Sequence, residues 1–175
     1  LDIEASMDRL ACYDREAGYN PAIRTIEGTG KWKVHTETSK IDDSTNVYLF
    51  LESDNHENCP YDQDPHQIWM ACRENTTNFW VTFGGCFMSS HGGKGRVTYR
   101  IDLEKARHVN FRESNDNNAL GLWSGGRAIP FIKEMLGHDK LLIRAQPFSG
   151  STVTGEYSIA RIDEAIKPLR EACNW

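Results

Sequence analysis

The 175-residue sequence lacks any apolar run near the roughly 20 residues that a membrane-spanning helix needs, so we expect no insertion into a membrane. Internal repeats and low-complexity segments are absent too. The chain begins at Leu1 and shows neither an initiator methionine nor a basic-then-apolar leader. We therefore expect either a mature exported form, from which a signal peptide has been removed, or a trimmed form of the protein.

An excess of positive charge is also missing. The 25 acidic residues outnumber the 20 Lys and Arg residues, and the formal net charge is -5. This balance disfavours nucleic acid or an anionic membrane surface as a partner, since either would favour a basic face. The length and the ordinary hydrophobic content predict one globular domain over residues 1–175.

Signatures of catalysis are absent as well. The Gly-x-Ser-x-Gly elbow of serine hydrolases is missing, because Leu122 stands two residues before Ser124. The glycine-rich segment 92–95 lacks the leading glycine and the hydroxyl residue of a phosphate-binding loop. Cys86 and His91 have the residue types of a thiol–base pair, but the sequence shows no third group to orient them. We predict no enzymatic activity, no catalytic residue and no cofactor.

Residues 54–66 concentrate side chains that can hold a metal. Their spacing matches neither a zinc site nor an EF-hand, so we predict a solvated loop closed by a disulfide, with no metal. The Asn/Asp cluster at 115–118 likewise predicts a turn. The metal-type residues of the insert are Asp54, His56, Glu57, Asp62, Asp64 and His66.

What the sequence does contain is a succession of β-patterned runs. Segment 32–37 alternates apolar and polar residues, and segment 47–51 is apolar throughout. Turn-forming residues separate the runs. We therefore predict a mainly β fold of β-sandwich-like antiparallel sheets, with a core over about 31–160. The predicted strands are 32–37, 47–51, 68–73, 79–83, 96–101, 141–145 and 152–159.

Three helices are predicted around this core. Apolar residues at helical spacing indicate an N-terminal helix over about 3–17. An inserted helix over 128–136 ends at Gly137. A C-terminal helix over about 163–173 contains Pro168, so we expect a kink within it.

Two of the five cysteines frame the chain. Cys12 and Cys173 lie on short amphipathic segments at opposite ends of the sequence. A bridge between them would close nearly the whole chain and stabilise it by roughly 5 kcal/mol in the chain-entropy model. Such a bridge persists only in an oxidising compartment, which indicates an exported, periplasmic protein.

The three internal cysteines leave one thiol over. A hairpin of strands 68–73 and 79–83 places Cys86 closer to the loop bearing Cys59 than to Cys72. This geometry predicts a Cys59–Cys86 bridge and a buried free thiol at Cys72. The alternative is a cytosolic protein in which all three are reduced core cysteines.

The sequence has five tryptophans, of which most are expected in the core. Trp69 and Trp80 are predicted there because they lie in apolar strands. Trp123 stands between Gly121 and Gly125, so we predict an exposed aromatic residue at a partner or glycan surface.

Several motifs in this order resemble one known family. They resemble the periplasmic accessory proteins of type VI secretion clusters, of the VasI or TagO type, and the resemblance covers most of the chain. The sequence departs from that pattern at 54–66 and at Cys86. The motifs are Arg9–Asp14, Trp32 with Val34, Ser39–Val47, Cys72–Thr76, Val97–Asp102 and Leu169–Trp175.

The resemblance implies a periplasmic protein that supports assembly of the secretion machine and has no catalytic residues. We therefore predict a non-enzymatic adaptor that binds another envelope or secretion-apparatus protein through the face near Trp123 and the 85–95 hairpin. The alternative is a periplasmic inhibitor or a domain that binds cell-wall material or glycan, because small disulfide-stapled β folds commonly serve such roles.

Overall fold

The structure, a computed structural model, describes residues 23–24, 28–55, 64–89 and 94–175. This part of the chain is dominated by β-strands, and each predicted strand overlaps an observed one. The N-terminal helix predicted over about 3–17 lies outside the described residues. The strands are β1 Ile23–Arg24, β2 Lys33–Thr38, β3 Thr45–Glu52, β4 Gln67–Arg73, β5 Thr76–Thr82, β6 Lys94–Ile101, β7 Arg107–Glu113, β8 Ala119–Leu122, β9 Lys140–Ala145 and β10 Val153–Ser158.

The ten described strands form one antiparallel sheet in the order β1-β2-β3-β4-β5-β8-β7-β6-β9-β10. The predicted mainly β class is confirmed, but the strands belong to one continuous hydrogen-bonded sheet where two sheets were predicted. Strands β2 to β5 follow one another as hairpins. The chain then reverses, and β8 returns beside β5 with Gly121 opposite Trp80. The two halves of the sheet therefore meet at the β5–β8 pair.

Alternation along the strands gives the sheet an inner and an outer face. In β4, Ile68 and Met70 are fully buried while Trp69 between them is only partly buried. Phe79 and Val81 of β5 follow the same rule. Successive side chains of a strand point to opposite sides, so one set fills the core and the other forms the outer face.

Helix α1, Gly125–Met135, covers part of the inner face. Its Phe131 ring lies 4.8 Å from that of Phe79 and 4.9 Å from that of Tyr99. The helix ends before Gly137, as predicted, where a φ of +77° suits a residue without a Cβ. The aromatic contacts fix α1 against strands from both halves of the sheet.

The C-terminal helical segment consists of two short helices, α2 Ile162–Ala165 and α3 Lys167–Ala172. A single kinked helix was predicted over about 163–173. The division falls at Ile166, because Pro168 has no amide hydrogen to donate and its ring would clash with the preceding turn of a continuous helix. Leu169 of α3 is fully buried against the sheet.

The predicted Cys12–Cys173 bridge is wrong, and so is the prediction that Cys72 is a free thiol. Cys173 forms a disulfide with Cys72, with a Cα–Cα distance of 5.7 Å. Cys72 shares the inward face of β4 with Met70, and Cys173 directly follows α3, which packs on that face. The bridge therefore attaches the last helix to the middle of the sheet. It does not join the two ends of the chain.

The end of β3 also contacts the far edge of the sheet. The Asp54 amide donates to the Glu156 carbonyl at 2.6 Å. The side-chain amide of Asn55 donates to the Thr154 carbonyl at 2.7 Å and accepts from the Glu156 amide at 2.8 Å. One asparagine side chain thus provides the two hydrogen bonds that a neighbouring strand would offer to β10. The contacts also show that the sheet is curled, since the end of β3 reaches β10.

Candidate interaction surface

Four aromatic side chains form a row across the outer face of the first half of the sheet. Phe50 on β3 lies opposite Trp69 on β4, and Trp69 lies opposite Trp80 on β5. Trp123 directly follows β8 and completes the row. We refer to Phe50, Trp69, Trp80 and Trp123 as the aromatic row.

The rings of the aromatic row stack on one another. Phe50 and Trp69 have ring centroids 4.5 Å apart with an interplanar angle of 18°. Trp69 and Trp80 are 5.6 Å apart at 6°, and Trp80 and Trp123 are 5.8 Å apart at 28°. The Lys33 ammonium lies 5.1 Å from the Phe50 centroid and ends the row with a cation–π contact. Each ring therefore restricts its neighbour, which gives the surface a fixed shape.

Gly121 explains how Trp123 joins the row from beyond the end of β8. A Cβ at Gly121 would lie only 2.7 Å from a carbon of the Trp123 ring, so the ring occupies the space of the missing side chain. The Trp123 indole N–H donates to the Arg112 carbonyl at 3.0 Å. Trp123 remains 37% exposed. The predicted surface position of this residue matches the structure, while its role in binding stays a prediction.

The prediction that Trp69 and Trp80 lie in the core is wrong. Both are partly exposed on the outer face, because the inward positions beside them hold Ile68, Met70 and Phe79. The strands are apolar on both faces, so their composition gave no sign of which residues face outward. Strict alternation counted from Ile68 would have shown that Trp69 faces outward.

Polar groups border the aromatic row. The Trp69 indole N–H donates to Gln67 Oε1 at 3.0 Å, and Lys33 pairs with Glu52 at 2.9 Å. On the other side, the Tyr48 hydroxyl donates to Glu37 at 3.1 Å. Burial and this carboxylate together raise the pKa of Tyr48. The arrangement combines apolar ring surface with oriented donors and acceptors, as protein-binding patches do.

A polar cavity of about 640 Å³ opens beside the row. Its described lining contains carboxylates, amides, the Thr82 hydroxyl and backbone groups. These groups can hydrogen-bond to a bound molecule. The lining residues are Glu52, Asp64, Pro65, Gln67, Thr82, Gly84, Gly85 and Asn118.

Cys86, considered above as a possible thiol nucleophile, is disulfide-bonded and buried. A sulfur held in a disulfide cannot act as a thiolate with His91. Cys59 and Cys12 lie outside the described residues, so the Cys59–Cys86 pairing stays a prediction.

The metal-type side chains of the 54–66 insert are only partly described. Asp54 pairs with Lys31 and accepts from the Ser158 hydroxyl. His66 is fully buried with its ring 5.7 Å from that of Phe83. Across the described ranges, no three His, Cys, Asp or Glu side chains lie close enough together to hold a metal ion. Within the same ranges, no helix has the length and apolar content to cross a membrane.

These features define a curled antiparallel β protein with helices on its inner face and an aromatic row on its outer face. Its sequence matches the model of the family described as type VI secretion system VasI, EvfG, over residues 1–175. The chain therefore belongs to this type VI secretion-associated family, as its motifs predicted. No curated protein matches the sequence.

Comparison with solved structures supports the fold. The crystal structure of invasion associated protein B from Bartonella henselae is similar, with a TM-score of 0.53 and 9% sequence identity. The match covers 85% of this chain and 98% of that chain. At this identity the likeness concerns the fold alone.

Proposed function

We propose that this protein is a non-enzymatic accessory protein of a type VI secretion system, that it acts in the periplasm, and that it binds another envelope component through the aromatic row. The observation that carries the proposal is the stack of four aromatic rings, Phe50, Trp69, Trp80 and Trp123, on the outer face of the sheet. Membership of the secretion-associated family supports the same reading.

The physical reason is that aromatic side chains dominate the binding energy of protein interfaces. A ring that is already held by its neighbours loses little conformational freedom when a partner covers it. Phe50, Trp69 and Trp80 are partly exposed in this held state, and Trp123 is exposed. Covering the row would therefore gain apolar burial at a small entropic cost.

A glycan-binding role is the weaker alternative. Sugar rings stack on the open face of an aromatic ring. Here the faces of neighbouring rings are turned toward one another, with centroids 4.5 Å apart for Phe50 and Trp69. The middle of the row therefore presents ring edges to solvent, which suits a protein surface better than a sugar.

The periplasmic location is supported by the cysteines. Cys72 and Cys173 form a disulfide, and Cys86 is disulfide-bonded as well. Structural disulfides are rare in cytosolic proteins and common in exported ones. Fractionation of the native host should place the protein with periplasmic markers; recovery with the cytosol would contradict the location.

Binding can be tested by co-purification from a host that carries the secretion cluster. A W69A/W123A double variant should lose secretion-apparatus subunits that the wild type retains, as identified by mass spectrometry. The matched control is I41A, because Ile41 is 85% exposed in the β2–β3 turn, away from the row. Circular dichroism should show that both variants keep the fold.

Two results would contradict the proposal. One is retention of the same subunits by W69A/W123A. The other is retention of the wild type on purified peptidoglycan with no apparatus subunit recovered, which would favour the glycan alternative.

A further inference from the structure

The second half of the outer face is basic, although the chain as a whole carries a net charge of -5. Alternation in β6, β7 and β9 turns nine described side chains outward. Five of them are Arg or Lys and none is Asp or Glu. These outward residues are Arg96, Thr98, Arg100, His108, Asn110, Arg112, Lys140, Leu142 and Arg144. We refer to Arg96, Arg100, Arg112, Lys140 and Arg144 as the basic face.

Several residues of the basic face are neighbours of Thr98 in the sheet. Arg96 and Arg100 lie two residues before and after it on β6, about 7 Å away along the strand. Arg144 on β9 lies directly opposite Thr98 in the sheet register. His108 lies opposite on β7, and its Nδ1 is 2.9 Å from the Thr98 hydroxyl. Three arginines and a histidine are thus neighbours of Thr98 on the outer face.

The charges of the basic face are not neutralised within the described part of the chain. All five side chains are exposed, and no ion pair joins any of them to a carboxylate in the described ranges. Arg144 donates its Nε–H to the Thr154 hydroxyl, which orients it without changing its charge. Like charges held this close favour an anionic partner, because a carboxylate relieves their repulsion and accepts bidentate hydrogen bonds from arginine.

We propose that the basic face receives an acidic surface of a protein partner, the same partner whose apolar surface covers the aromatic row. This inference rests on the proposed function for the identity of that partner. Arg112 lies opposite Gly121, which lies opposite Trp80, so the two surfaces are two strands, or about 10 Å, apart. An interface of standard size buries about 800 Å² on each partner and would cover parts of both.

An acidic protein fits this face better than an anionic membrane. Glu156 points outward on β10, which flanks the basic face, and Glu37 and Glu52 point outward on β2 and β3 in the other half of the sheet. A flat membrane lying on the sheet would meet these carboxylates as well. The outer-face rings stack sideways on one another and do not project as anchors into lipid. A protein surface can place its acidic groups opposite the arginines alone.

The experiment uses the purified chain and labelled poly-L-glutamate as the acidic probe, with affinity measured by fluorescence anisotropy at low salt. The R96Q/R144Q variant should bind roughly tenfold more weakly than the wild type, since it loses two charge-assisted contacts. The K40Q/K167Q variant removes the same charge from exposed positions elsewhere and should bind like the wild type. Binding of the wild type should weaken as salt rises.

Several outcomes would overturn the proposal: no binding of the probe by the wild type, equal affinity of R96Q/R144Q and wild type, or an equal loss in K40Q/K167Q. Stronger binding to vesicles containing phosphatidylglycerol than to the probe would assign the face to a membrane. Because this assay needs no secretion subunit, its failure is distinguishable from failure of the co-purification experiment.

Discussion

The two faces of strands β4 and β5 have similar composition and different surroundings. On the inner face, Ile68, Met70 and Phe79 are fully buried beneath helices and the Cys72–Cys173 bridge. On the outer face, Trp69 and Trp80 remain partly exposed and touch mainly their own neighbours in the row. Alternate positions of a strand therefore place apolar side chains either in the core or on the outer surface. Mutations at the two kinds of position should differ in their effect on stability.

The largest expected effect is at the inner face. F79A removes a ring that lies 4.8 Å from Phe131 and 5.9 Å from Phe111. We expect the free energy of unfolding to fall by about 3–5 kcal/mol, because the cavity adds to the lost burial. Urea denaturation followed by circular dichroism measures the change. If F79A lowered the unfolding free energy no more than W80A does, the distinction between a core face and a surface face would be contradicted.

Removal of the bridge should come next. A C72S/C173S variant lacks a crosslink between residues 101 positions apart, and we expect a loss of about 2–5 kcal/mol in unfolding free energy. Thermal melting of this variant measures the loss without disturbing the disulfide at Cys86. An unchanged melting temperature would show that α3 stays on the sheet without the crosslink.

The outer row should matter less for stability. We expect W80A to lower the unfolding free energy more than its lost burial alone would predict, with a coupling to Trp69 of about 0.5–1.5 kcal/mol from ring stacking. A double-mutant cycle of W69A and W80A measures this coupling. Additive effects would mean that the two rings do not stabilise each other and that the row is not held in place by stacking.

The smallest expected effect on stability is at the contact between Asp102 and His138, which belongs to neither face. Asp102 accepts hydrogen bonds from His138 and from the Lys140 amide, and these lower the pKa of its carboxyl below 3.8. Since the pKa is lower in the folded chain, the ionised carboxylate stabilises the fold above its unfolded pKa, and this contribution is lost as pH falls through the folded pKa. D102N should melt below the wild type at about pH 5. The gap in melting temperature should shrink as the pH falls below 3.8.

D139N serves as the control for this pH dependence. Asp139 is the exposed neighbour of His138, and its hydrogen bonds to Asp102 and Ile159 use its backbone. The melting temperature of D139N should therefore equal that of the wild type at each pH. A gap between D102N and the wild type that persists unchanged in acid would contradict the role of the charge.

Much of the β structure could be predicted from the sequence, because apolar runs bounded by turn residues indicate strands. The prediction missed β7, where Phe111 is the only fully buried residue, and β8, which has four residues and contains Gly121. β7 has only two apolar residues, Val109 and Phe111, and β8 is too short to be recognised. The turn predicted at 115–118 does lie between them. The Ser114 amide donates to the Ala119 carbonyl across it, and the Asn118 amide donates to the Asp116 carboxylate within it.

The candidate surface was less accessible to prediction. The position of Trp123 could be inferred from its glycine neighbours, but the stack requires the register that places Phe50, Trp69 and Trp80 in line. The partner of Cys173 depends on how α3 packs, which no spacing reveals. The basic face combines β6 and β7 with β9, which lies further along the chain, so neither the local sequence nor the net charge of -5 indicated it.

The side chain of Asn55 has a consequence for how this protein can assemble. Its amide occupies the Thr154 carbonyl and the Glu156 amide, groups that β10 would otherwise offer to an incoming chain. A free strand edge is a template for β-augmentation and for polymerisation of like molecules. Blocking part of that edge with one side chain disfavours edge-to-edge growth, which agrees with the proposed binding through the broad side of the sheet.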